Sequence, residues 1–128
     1  MIYTSYFGNL KKLPENIIPI SICGKAPDWW KGLQYKKLAP KYQFFTEWKK
    51  NKDNNYYIKH FNEEVLNGLE ASEVVMELHH LCDKSTHDDI DIVLVCYEKP
   101  EDFCHRHLVA DWLIKGGYEV KEYGVKEL

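Results

Sequence analysis

Residues 90–112 read IDIVLVCYEKPEDFCHRHLVADW, and the fold turns on how this stretch is read. Residues 90–96 form a short apolar run rich in β-branched side chains, with the length and content of a buried strand. The run stops at the polar break Glu98-Lys99-Pro100-Glu101-Asp102, and a helical pattern follows. Pro100 suits a first helical position, and Glu101 and Asp102 add negative charge where the helix dipole favours it, so the helix is predicted to open there. Cys96 and Glu98 then stand at the carboxyl end of a strand, with Cys104, His105 and Arg106 near the start of the next helix. In open α/β sheets that crevice is where ligands bind.

The residue types in this crevice carry chemistry. Of the 17 basic residues, Arg106 is the only arginine, so a chain that otherwise uses Lys places its one rigid guanidinium fork here. That fork matches phosphate or carboxylate in a way an ammonium does not. Cys104, close to a helix start and to Arg106, has surroundings that lower a thiol pKa. It also reads as a small buried hydrophobe packing one turn before Leu108. His105 follows it directly, and on a helix that step turns a side chain about 100° away, so spacing alone does not pair the two. A single residue separates Cys104 from Arg106, which excludes the phosphate-cradling Cys-x5-Arg loop of phosphatases.

Cys96-Tyr97-Glu98 followed by Cys104-His105-Arg106 resembles the Cys-x-Glu…Cys-His-Arg core of the family known as domain of unknown function 488. The apolar strand before the motif and the helix after it match, and Ile2-Tyr3-Thr4 looks like the family's opening strand. The chain departs at its second strand end. Many members carry an acidic and basic pair there, whereas this chain has Ser21-Ile22-Cys23-Gly24-Lys25, the mark of a divergent branch. The resemblance implies a compact α/β domain and no established reaction.

Outward from the motif, 128 residues without repeat, low-complexity tract or linker predict a single domain over 1–128, large enough to bury a core. No apolar run approaches a membrane span, and no basic-then-apolar leader opens the chain. Cys23, Cys82, Cys96 and Cys104 contain no Cys-x-x-Cys pair, which argues against a disulfide framework or structural zinc and for a reducing cytoplasm.

The net charge of −3 conceals an asymmetry: Lys11 to Lys52 hold ten Lys against three acidic residues, and the acids concentrate beyond them. Trp29, Trp30, Tyr35, Tyr42, Phe44, Phe45 and Trp48 lie in the same basic part. Interleaved Lys and aromatic rings suit phosphate attraction and base stacking, although the same pattern arises when Lys solvates a surface and the rings fill a core.

Strands are expected over residues 2–7, 17–23 and 118–123, with helices over 41–50, 57–69 and 72–82 and a long loop over 24–40. Val74, Val75, Leu78, Leu81 and Cys82 have the spacing of one core-facing stripe. The order predicts a three-layer α/β fold with a largely parallel sheet of four or more strands and flanking helices. Thr4, Ser5 and Tyr6 then end the first strand, Ser21, Cys23 and Lys25 the second, and all converge on the motif.

Two functions fit this arrangement. One is thiol or acid/base catalysis on a nucleotide or nucleic-acid substrate. Cys104 is then the nucleophile, with Cys96 and His105 beside it, Glu98 the acid or base, and Arg106 the anchor for a phosphate or another small anion. Thr4, Ser5, Tyr6, Ser21, Cys23 and Lys25 complete the binding crevice. The other is binding without turnover, through the Lys and aromatic face. A metal site from Cys96, Cys104, His105 or His107 matches no standard zinc spacing, so neither metal nor cofactor is expected. A membrane partner is not expected either, and the oligomeric state is not encoded.

Overall fold

The computed structural model describes residues 1–82, 91–98 and 103–124. Its elements run β1 (Ile2–Tyr6), a 3-10 helix (Phe7–Lys12), β2 (Ile17–Ser21), β3 (Leu33–Gln34) and a 3-10 turn (Lys36–Leu38). Then come α1 (Tyr42–Asn51), α2 (Asn54–Phe61) continuing into a π-helical segment (Asn62–Leu66), α3 (Ala71–Cys82), β4 (Asp91–Cys96), α4 (His105–Lys115) and β5 (Val120–Glu122).

The five strands form one sheet in the order β3-β2-β4-β1-β5, and every described pair is parallel. β4 takes the centre because Ile92 to Cys96 are apolar at every position, as a strand covered on both faces must be. The layers follow from strand alternation. Ile92 and Leu94 face a core with Phe44, Phe61, Leu78 and Leu113, so α1 to α4 all cover one side. Val93 and Val95 face a smaller core with Phe7, Ile17 and Cys23, closed by the 3-10 helix and the segment around Ala26 and Trp30. This is the expected three-layer α/β architecture.

Local chemistry sets the element ends. Asp53 caps α2 by accepting from the backbone N–H groups of Asn55 and Tyr56 at 3.0 and 3.3 Å. Gly117, at φ +99°, makes the turn out of α4 that leads Tyr118 back toward β5. Along α3, Val74 and Leu78 are buried as the stripe requires, but Leu81 is exposed at the end of the helix. The long loop over 24–40 contains β3, whose Leu33 and Gln34 pair with Ile20 and Ser21. The residues expected to link α3 to the central strand lie outside the described residues. Among the described residues, no helix is long and apolar enough to cross a membrane.

Candidate functional site

The carboxyl ends of β1, β2 and β4 lie side by side, with Tyr6 opposite Cys96 and Ser21 opposite Val95. The start of α4 completes the crevice, but differently from expectation. Phe103 is non-helical and Cys104 is extended (φ −153°, ψ 145°), so α4 begins at His105. Pro100, Glu101 and Asp102 lie outside the described residues, and the first turn of α4 carries no acidic residue.

This late start has a chemical result. An extended Cys104 turns its side chain back over the end of β4, and its sulfur is joined to that of Cys96 as a disulfide. The expectation against a disulfide framework is corrected at this one pair. Strand, connection and helix cap return the chain on itself within a sequence separation of 8, a closure that no Cys-x-x-Cys spacing announces.

The same geometry brings His105 to the sulfurs. Its Nδ1 lies 3.7 Å from Cys104 Sγ because Cys104 precedes the helix instead of sharing its rotation. Nε2 stands 2.7 Å from the Ile22 carbonyl oxygen, which can only accept, so Nε2 carries the proton and Nδ1 presents a lone pair. Burial, with Arg106 nearby, pushes the His105 pKa down to about 4 and keeps the ring neutral.

Arg106 is fully buried. Nε and Nη2 donate to Oε1 and Oε2 of Glu122 at 3.1 and 2.8 Å, a two-pronged ion pair. Nη1 donates to the Glu98 carbonyl oxygen at 2.5 Å and approaches Cys96 Sγ at 2.8 Å. Thr4 Oγ1 donates to Glu122 Oε1 at 2.6 Å, and the Tyr6 ring centroid is 6.0 Å from the guanidinium carbon. The fork expected to meet an external anion thus meets an internal carboxylate, and it ties β1, β4 and β5 to α4. Glu122 is the site residue that sequence reasoning missed. The signal was available: Tyr118, Val120 and Glu122 alternate onto one face of the last strand, and a carboxylate beside a buried Val wants a cation.

The remaining expected residues divide. Ser5 Oγ accepts from Asn9 Nδ2 at 3.1 Å, and Ser21 Oγ accepts from the Cys23 backbone N–H at 3.3 Å, so both are engaged within the strand ends. The Cys23 thiol is buried beside the Val95 carbonyl, and desolvation pushes its pKa up to about 12, which makes it unreactive at neutral pH. Lys25 keeps an exposed side chain while its carbonyl accepts from Tyr97 Oη at 2.7 Å.

Beside the sulfurs lies a small recess of about 20 Å³, lined by Cys104, His105, Glu98 and the rings of Phe45, Trp48, Tyr57 and Phe103. Lys49 Nζ sits 4.8 Å from the Phe45 centroid and Lys52 Nζ 5.5 Å from that of Trp48, so two cations border this aromatic wall. The Lys and aromatic segment is therefore divided: Tyr35 and Phe44 are core, Trp29 and Tyr42 are exposed, and Phe45 and Trp48 face the recess.

The family model DUF488-N3a, described as the active DUF488-N3 subclade, matches residues 10–117. The chain belongs to the DUF488 family. That span covers most of the chain and includes both halves of the cysteine motif. No curated protein and no solved structure matches this DUF488 member significantly.

Proposed function

We propose that this protein is a thiol enzyme, with Cys104 as nucleophile and a nucleotide or nucleic-acid base held against the Phe45, Trp48 and Phe103 wall. One observation carries the reading: Cys104 Sγ borders an open aromatic recess, with a neutral imidazole nitrogen 3.7 Å away. That nitrogen is a hydrogen-bond acceptor within reach of the thiol proton. Cys96 is the partner that stores the site as a disulfide, and a dithiol reductant opens it by delivering two electrons and two protons. Arg106 supports the pair as a positioning residue: its hydrogen bond favours charge on Cys96, and its grip on Glu122 holds α4 against the strand ends. Glu98, exposed beside the recess, is the carboxylate in reach for proton transfer. Flat rings with Lys at the rim suit stacking of a base and attraction of its phosphates. The reducing cytoplasm expected from the cysteine pattern is the compartment where the dithiol form persists.

Alkylation of the reduced protein tests this, read by peptide mass spectrometry between pH 5 and 9. Cys104, which lines the recess, should react roughly tenfold faster at pH 7 than Cys82, while Cys23, equally buried but outside the recess lining and with its pKa raised by desolvation, stays unmodified. Equal rates at Cys104 and Cys82 would sink the nucleophile.

The second reading, binding without turnover, rests on the same Lys-bordered wall. A Cys104→Ser variant that keeps both nucleotide affinity and cellular phenotype favours it. Loss of activity at unchanged affinity favours catalysis.

A further inference from the structure

Cys96, Cys104 and His105 are all buried, and their donor atoms lie within 4.8 Å of one another. Once reduced, they constitute a donor set of two thiolates and one imidazole. We propose that the reduced site binds one zinc ion through Cys96 Sγ, Cys104 Sγ and His105 Nδ1, and that oxidation to the disulfide abolishes the site. The inference rests on the thiol reading only in requiring that the Cys96–Cys104 pair be reducible.

The distances suit the ion. Tetrahedral zinc with bonds of about 2.3 Å to sulfur and 2.0 Å to nitrogen sets neighbouring S and N ligands about 3.6 Å apart. Cys104 Sγ and His105 Nδ1 already stand 3.7 Å apart. The two sulfurs need to part to about 3.8 Å, which side-chain rotation supplies once their bond is cut. His105 is prepared as a ligand: its Nε2–H is held by the Ile22 carbonyl at 2.7 Å, the backing that fixes the tautomer and ring orientation of metal-bound histidines.

Charge also balances. Two thiolates neutralise Zn²⁺, and Arg106 is already paired with Glu122, so the buried cluster stays neutral overall. Binding releases two protons, one from each thiol. Sulfur and imidazole donors select zinc over magnesium or calcium. Three protein ligands leave a fourth position, and the recess beside Cys104 and His105 offers the side from which water or a substrate atom reaches it. Zinc and electrophile therefore compete for the same sulfurs, and the disulfide excludes both.

The test uses the full chain, reduced under nitrogen and freed of reductant, with release of Cys96 and Cys104 verified by mass spectrometry. Zinc titrated against a chromophoric chelator should show about one equivalent bound by the reduced form and none by the oxidised form. Cobalt in its place should give sulfur-to-cobalt charge-transfer bands and the strong visible bands of four-coordinate geometry. Cys96→Ser and Cys104→Ser should each lose the charge-transfer intensity of one thiolate and weaken binding by tenfold or more, roughly as loss of one ligand does. Bound zinc should also slow alkylation of Cys96 and Cys104 but not of Cys82. A reduced protein that takes up no zinc overturns the proposal, as does zinc binding that survives oxidation or both substitutions. Fast alkylation of Cys104 without zinc uptake leaves the thiol reading standing and removes only this inference. Zinc uptake with a sluggish Cys104 does the reverse.

Discussion

Glu122→Ala should destabilise the protein by about 3–5 kcal/mol, seen as a large fall in the urea midpoint at unchanged slope. The size follows from what remains. Arg106 is fully buried, so removing the carboxylate leaves an uncompensated guanidinium in the core. Thr4, whose hydroxyl donates to Glu122 at 2.6 Å, loses its acceptor as well. Glu122→Gln keeps one acceptor oxygen without the charge and should fall between wild type and the Ala variant. Joining Glu122→Leu to Arg106→Met should recover part of the loss, because a hydrophobic pair avoids the desolvation that an ion pair must offset. A change below about 1 kcal/mol for Glu122→Ala would mean that the guanidinium finds another partner and that the clamp is dispensable.

Acidification should remove a further stabilising contribution of similar size through His105. Its pKa is depressed to about 4 in the folded protein, against an ordinary 6.5. The unfolded chain therefore takes up the proton first as pH falls. The contribution is fully present above pH 6.5 and is lost progressively as pH drops through that window to about 4, on the order of 3 kcal/mol in all. Carboxylates titrate in the same range, so the measurement is a comparison: urea stability from pH 4 to 7.5 for wild type and for His105→Gln. Gln can still donate to the Ile22 carbonyl but binds no proton. The two curves should converge toward low pH. Parallel curves would show that His105 is not held neutral.

The legible parts of this chain were those encoded locally. Residues 91–96 carry enough β-branched character to announce a central strand, and the polar break after it locates the crevice between Cys96 and His105. The start of α4 was misread for a physical reason. Pro100, Glu101 and Asp102 satisfy the propensities of a helix N-terminus, yet Cys104 is extended and tied to Cys96, a tertiary contact that propensity does not contain. The Glu122 partner and the aromatic wall were hidden because they join segments far apart in sequence. Phe103 meets Trp48 and Tyr57 only when α1 and α2 fold over the sheet. β3 escaped because a strand of two residues has no period to detect.

The strand order has a consequence for how the chain is made. Among the described residues β1 pairs only with β4 and β5, so Ile2 must wait about ninety residues for Ile92 to leave the ribosome. β2 depends on the same strand for all but its two-residue contact with β3. The sheet therefore cannot assemble stepwise during synthesis. β1 stays unpaired, and β2 holds only its short pairing with β3, until the central strand emerges, when an exposed strand edge is most prone to aggregate. The sheet closes late, and Cys96 meets Cys104 at the end of that central strand only once it has emerged.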